Sequence, residues 1–112
     1  MLDTYKCKEF IKELALDLDK EITTNYPTIK KKCRLYYISY YHNRRTILYV
    51  WLYRDKLGIF FKDKENILKS VSKEIPKGIT IGFNRRYEVK AKEEMSNAKK
   101  LIKQYFSYYA GA

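Results

Sequence analysis

The chain has 112 residues, of which 24 are Lys or Arg and 13 are Asp or Glu, for a formal charge of +11. With 46% hydrophobic and 16% aromatic residues it has the composition of an ordinary globular domain, not of a disordered tail, and a chain this short builds one core, which excludes large multidomain enzymes. No apolar run approaches the roughly 18 residues of a membrane span, and Met1-Leu2-Asp3-Thr4-Tyr5-Lys6 lacks the basic-then-apolar order of a signal peptide, so a cytosolic protein with no membrane partner is expected.

Cys7, Phe10, Ile11, Leu14, Leu18 and Ile22 recur at three- and four-residue steps and predict an amphipathic helix from about Thr4 to Thr23, capped by Asp3 and ended by Tyr26-Pro27. Arg34 to His42 and Thr46 to Arg54 are rich in tyrosine and β-branched residues and predict a strand pair across a three-residue loop, Asn43-Arg44-Arg45. A third strand, Leu57 to Lys62, follows the turn at Asp55-Lys56. Asp63 to Lys73 is expected to be a short helical or irregular connector with Ile67, Leu68 and Val71 inward, closed by Ile75-Pro76-Lys77-Gly78. Ile79 to Phe83 and Tyr87 to Ala91 predict two short strands around an Asn84-Arg85-Arg86 bend. From Glu93 to about Tyr108, Met95, Ala98, Leu101, Ile102, Tyr105, Phe106 and Tyr109 fall at helical spacing and predict a second long helix. The order implies an α+β domain, an antiparallel sheet of about five strands with the N- and C-terminal helices on one face.

Side-chain alternation divides the second strand into an aliphatic face, Leu48, Val50 and Leu52, and a face bearing Ile47, Tyr49, Trp51 and Tyr53. With a three-residue loop, His42 lies opposite Thr46. Tyr36, Ile38 and Tyr40 then join the aliphatic face, and Tyr37, Ser39 and Tyr41 join the aromatic one; a one-residue slip would reverse the first strand.

The stretch from Tyr87 to Phe106, YEVKAKEEMSNAKKLIKQYF, has a short strand, an acidic helix start, an alanine one turn on and a Leu-Ile pair before an aromatic. It resembles the end of an uncharacterised domain family labelled "predicted transport protein". LYVWLYRDKLGIFF, Leu48 to Phe61, resembles that family's second hairpin, and the first helix with Tyr36 to Tyr40 fits its opening, so nearly the whole chain is covered. Members occur alone or beside restriction-type nuclease modules, so the resemblance implies a setting of nucleic-acid metabolism or phage defence, and it carries over no catalytic residues. The chain departs from the pattern where the family shows a Gly-rich stretch with a histidine: here stand Gly78-Ile79-Thr80-Ile81-Gly82-Phe83-Asn84.

Enzyme chemistry finds little support. Cys7 and Cys33 form no CxxC pair, His42 is the one histidine, and Asp55, Asp63 and Glu65 are interleaved with lysines, so neither a metal nor another cofactor is expected. The four glycines make neither a Walker loop nor a dinucleotide fingerprint. A small metal-independent RNase could be assembled only from His42, Arg44, Arg45 and nearby tyrosines.

The charge is better placed for binding. Residues 25 to 54 hold seven basic groups and no acid, whereas residues 1 to 24 hold four basic and six acidic ones. Lys30, Lys31, Lys32, Arg34 and Arg54 are expected at one rim of the hairpin and Arg44 and Arg45 at the other, with Tyr37, Tyr41, Tyr49, Trp51 and Tyr53 between them and Arg85 and Arg86 at a further bend. Rings framed by cations hold single strands, the rings stacking bases and the cations meeting phosphates. The expected function is therefore a non-enzymatic nucleic-acid-binding module. The alternative is a homodimerisation or protein-interaction module that buries the same aromatic face. The bland readings are a solvated loop for Lys30 to Lys32, an exposed bend for Arg85-Arg86, and strand propensity for the tyrosines.

Overall fold

Pro27 keeps Tyr26 out of the helical region, and the chain obeys it. In the computed structural model, which describes residues 7–68, 73–74 and 82–111, helix α1 (Glu9–Asn25) ends at Tyr26, whose N–H still reaches the Ile22 carbonyl. The helix starts later than its periodicity suggests. Lys8 is extended and its N–H donates to the Arg54 carbonyl at 3.1 Å, so backbone pairing with a distant turn claims the residue that would have begun the helix. The expected cap, Asp3, lies outside the described residues.

Among the described residues six strands follow in one antiparallel sheet: β1 (Lys30–Cys33), β2 (Tyr37–His42), β3 (Arg45–Leu52), β4 (Leu57–Phe61), β5 (Lys73–Glu74) and β6 (Arg85–Val89), in the spatial order β1-β2-β3-β4-β6-β5. A 3₁₀ turn (Lys92–Glu94) leads into helix α2 (Met95–Tyr109). Glu94 Oε1 accepts from the N–H groups of Lys90 and Ala91 at 2.8 and 3.1 Å and so fixes the entry into that turn.

Two strand expectations change. The predicted first strand is shortened to Tyr37–His42, because Arg34 N–H donates to the Tyr37 carbonyl and closes a turn that leaves Leu35 and Tyr36 exposed; Tyr36 is therefore not buried on the aliphatic face. Lys30–Cys33, expected to be loop, pairs with β2 as an edge strand. Of the predicted strand Ile79 to Phe83, residues 79 to 81 lie outside the described part, and Gly82 and Phe83 are turn and coil. The supposed Asn84-Arg85-Arg86 bend is the start of β6. In the connector, Leu68 is buried and Ile67 partly buried, while Val71 and the closing Ile75-Pro76-Lys77-Gly78 lie outside the described residues.

The β2–β3 loop has two residues, not three. Asn43 and Arg44 both have positive φ, 51° and 67°, the type I′ geometry that matches strand twist, and Asn tolerates it best after glycine. His42 pairs with Arg45 and Tyr41 with Thr46; a bulge at Ile47 then returns the ladder to Tyr40 opposite Leu48, Ser39 opposite Tyr49 and Tyr37 opposite Trp51. One residue fewer in the loop and one extra in the bulge cancel. The predicted register below the bulge therefore stands. Ile47 itself is corrected, since it packs against the core instead of joining the aromatic face.

Both helices lie on the aliphatic face. Ile11, Leu14, Leu18 and Ile22 of α1 and Met95, Ala98, Leu101, Ile102 and Phe106 of α2 bury against Ile38, Tyr40, Leu48, Val50, Leu57, Ile59, Phe61 and Val89. Each such aliphatic side chain contributes roughly 1.5–3 kcal/mol on burial, and this one-sided demand leaves the other sheet face free of helices among the described residues. Tyr105, fully buried, stitches the bulge into the sheet. Its hydroxyl donates to the Ile47 carbonyl at 2.5 Å and accepts from Lys62 N–H at 3.1 Å, the two groups that would have bonded each other had the β3–β4 ladder run one step further. Asp63, also fully buried, accepts from the N–H groups of Ile67 and Leu68 and from the Tyr109 hydroxyl. That carboxylate holds the 63–68 turn against α2.

Candidate nucleic-acid interface

Alternation from the helix-free side places Lys30, Lys32 and Arg34 beside β2, then Tyr37, Ser39 and Tyr41, then Thr46, Tyr49, Trp51 and Tyr53, then Gly58, Phe60 and Lys62, and last Arg86 and Glu88 on β6. The rings form a row across the strands. Tyr37 stacks on Trp51 with centroids 4.5 Å apart and planes 22° apart, and Trp51 is followed by Tyr53 at 6.3 Å and 23°. Gly58 makes room for that last ring: a Cβ there would come within 2.7 Å of Tyr53 Cε2. Tyr49 meets Tyr37 edge-on at 5.3 Å and Phe83 at 4.8 Å. Gly82, at φ 78°, turns the chain so that Phe83 buries with Phe60 on this face, with Tyr49 and Trp51 packed against them.

Mutual stacking has a chemical consequence. Tyr37 and Trp51 cover each other's faces, so a ring face open to a further aromatic partner is to be sought at the end of the row, where Tyr53 is 38% exposed. The tyrosine hydroxyls and the indole N–H are the groups that such a row offers along its length.

Cations stand on both sides of the rings. Among the described residues, Lys30, Lys32, Arg34, Lys62 and Arg86 enter no ion pair, and Lys62 Nζ sits 5.3 Å from the Phe83 ring centroid. Of the residues with described side chains, Glu88 is the carboxylate that alternation places on this face, and Lys56 neutralises it at 2.6 Å while lying 5.3 Å from the Tyr53 ring. The result is a face with a net positive charge and no free acid among the described residues.

The sequence-predicted site residues divide accordingly. Lys30, Lys32, Arg34, Tyr37, Tyr41, Tyr49, Trp51, Tyr53 and Arg86 share the ring face. Lys31 does not: it pairs with Tyr40 on the helix side and forms an ion pair with Asp19 at 2.5 Å, where the Tyr40 hydroxyl also donates. Arg45 pairs with His42, which shares the parity of Tyr40, so both belong to the helix side; Arg44 is exposed at the tip of the turn. Arg54 sits in the β3–β4 turn near Asp55, itself bound by Lys8 at 2.8 Å. Arg85 is buried opposite Phe61, reaching Asn66 Oδ1 at 3.5 Å. The two positive rims are therefore β1 on one side and Lys62 with Arg86 on the other, not the two ends of the hairpin.

Lys62, Lys56, Phe60, Phe83 and Thr46 are additions. Lys62 stands two residues beyond Phe60, so alternation along β4 reaches it; Phe83 arrives through the Gly82 turn and has no periodic signal. His42 lies across the sheet from Tyr41, next to Asn43 Nδ2 at 3.3 Å, which separates it from the ring-face tyrosines. No group of three or more His, Cys, Asp or Glu side chains able to hold a metal occurs among the described residues, and no described helix is long and apolar enough to cross a membrane.

No family model, curated protein or solved structure matches the chain.

Proposed function

We propose that the chain is a nucleic-acid-binding module that lays a strand across the helix-free face, with the phosphates on the β1 rim and on Lys62 and Arg86 and with bases against the exposed end of the ring row. The observation that supports this reading is the set of five cations outside any described ion pair, Lys30, Lys32, Arg34, Lys62 and Arg86, around rings whose one neighbouring carboxylate is neutralised. A setting in phage defence or restriction, as the family resemblance implies, belongs to the same proposal. If all five meet phosphates, the log-log salt slope is about −3.5 for a single strand and about −4.5 for duplex DNA. Fluorescence anisotropy with labelled oligonucleotides at several salt concentrations tests it; absence of binding at low salt refutes it.

A second reading has an observation of its own. Leu35 and Tyr36, 61% and 51% exposed, lie in the turn before β2, where the Tyr36 carbonyl accepts from Leu52 N–H, and give an apolar patch that a second copy or another protein could cover. Pairing two copies through the ring face itself brings like charges together, since each carries the β1 cations. Sedimentation of the wild type and of Trp51→Lys tests self-association: an unchanged monomer in both counts against a homodimer through this surface.

A further inference from the structure

We propose that the hydroxyls of Tyr41 and Thr46, with the Arg34 guanidinium and the ammonium groups of Lys30 and Lys32 beside them, form an oxyanion subsite that takes one phosphate group. The assignment to a strand phosphate rests on the nucleic-acid reading; the anion chemistry does not.

The bulge creates this place. In an uninterrupted ladder Ile47 would stand opposite Tyr41 and bring an aliphatic side chain to the ring face, but the extra residue puts Thr46 there and turns Ile47 to the core. Bulges re-aim side chains in this way, often beside sites. Here a buried hydroxyl, Tyr105, holds the displaced Ile47 carbonyl. The pairing of β1 with β2 sets Lys30 opposite Tyr41 and Lys32 opposite Ser39, on the same face as Thr46.

The cluster is also preorganised. Ser39, almost fully buried, stands two residues before Tyr41 on the same face, and Thr46 is the cross-strand partner of Tyr41. The Ser39 hydrogen bond foremost, and those of Arg34 and Thr46, lower the Tyr41 pKa from its ordinary value, so negative charge at this point is favoured before any ligand arrives. A guanidinium carries five N–H donors and an ammonium three, so Arg34, Lys30 and Lys32 offer more donors than the Tyr41 hydroxyl can accept. Asp19 of α1, the carboxylate bound by β1 and β2, is on the opposite face and engaged by Lys31 and Tyr40. Ser39 lies beneath Tyr41 and acts as a positioning residue.

Backbone amide NMR shifts during titration with inorganic phosphate, at constant ionic strength against chloride, test the proposal. Saturable shifts are expected at Tyr41, Thr46 and along β1, with affinity about tenfold weaker in Tyr41→Phe, Thr46→Val and Arg34→Gln, since loss of one charge-assisted bond costs about a decade. Both hydroxyl deletions are near-isosteric at half-buried positions, so the fold survives them. Shifts absent from these residues, or equal affinity in the variants, overturn the subsite. The same proteins are assayed with a labelled oligonucleotide. Oligonucleotide binding that the variants leave intact rejects the subsite and keeps the nucleic-acid reading; localised phosphate binding without oligonucleotide binding does the reverse.

Discussion

Lys31 and Lys32 are adjacent in sequence and opposite in consequence, which makes their separate replacement by glutamine a sharp test of the proposed interface. Lys32 stands on the ring face across from Ser39, whereas Lys31 faces α1 and is bound to Asp19. Each phosphate neutralised on a single strand contributes about 0.7 to the log-log salt slope, so Lys32→Gln should flatten it by about 0.7 and weaken binding roughly fivefold at about 0.1 M salt. Lys30→Gln with Lys32→Gln should flatten it by about 1.4 and weaken binding roughly 25-fold. Lys31→Gln removes the same formal charge from the same strand and should leave the slope unchanged, while stability falls by no more than about 1 kcal/mol because the Lys31 side chain is 40% exposed and screened. Anisotropy across a salt series measures the slopes, and urea melts measure the stabilities. Equal flattening by Lys31→Gln and Lys32→Gln would show that net charge, not the face, governs binding and would refute the geometric argument.

Tyr105→Phe should lower stability by about 2–4 kcal/mol, since it leaves the Ile47 carbonyl and the Lys62 N–H, both beneath α2, without their shared partner; a denaturant midpoint within error of wild type would contradict this. Gly58→Ala should displace Tyr53, whose ring would lie 2.7 Å from the new methyl, and lower stability by about 1 kcal/mol or more, because the buried Phe60 ring lies 3.1 Å from the same methyl and has no room to give; Trp51 fluorescence should shift with Tyr53, and an unchanged spectrum with an unchanged melt would contradict this. At alkaline pH, burial first and the hydrogen bond donated to Asp63 second push Tyr109 up to about 12. Because its folded-state pKa is raised, the stabilisation is fully present below about pH 10 and is lost as pH rises toward 12. Tyrosinate absorbance should therefore show a late-ionising group that Tyr109→Phe removes, with a shallower alkaline loss of stability in that variant.

Period-two alternation made β3 legible: its aliphatic half had to meet the helices, and its aromatic half then faced away. The β2–β3 register was legible for a subtler reason, because the loop and the bulge errors offset each other and the hydrophobic pattern tolerates only one parity. Lys30–Cys33 was not legible as a strand. An edge strand needs backbone partners on one side only, and KKKC carries no apolar alternation to betray it. Missing that strand also hid the division between Lys31 and its neighbours, since counting charges over residues 25 to 54 sums both faces. Arg85 went astray similarly: its burial depends on pairing with Phe61, a contact set by β4–β6 register and by Asn84, whose side-chain amide exchanges hydrogen bonds with the Asp63 backbone at 2.7 and 2.8 Å.

The lysines of β1 have a structural explanation that competes with the functional one, because charged side chains on an edge strand prevent another chain from adding to the sheet. That role is indifferent to sign and to face. Any charge would serve it, and Lys31, aimed at α1, would serve it as well as Lys32. It does not account for what accompanies Lys30 and Lys32 on their side of the sheet: an arginine whose backbone pairs with Tyr37, a threonine brought there by a bulge in place of an isoleucine, and further cations across the rings on Lys62 and Arg86. Edge protection also gives no reason for β4 and β6, interior strands, to carry positive side chains on the same face. The proposed anionic partner would explain the sign, the face and the interior positions together, which edge protection does not.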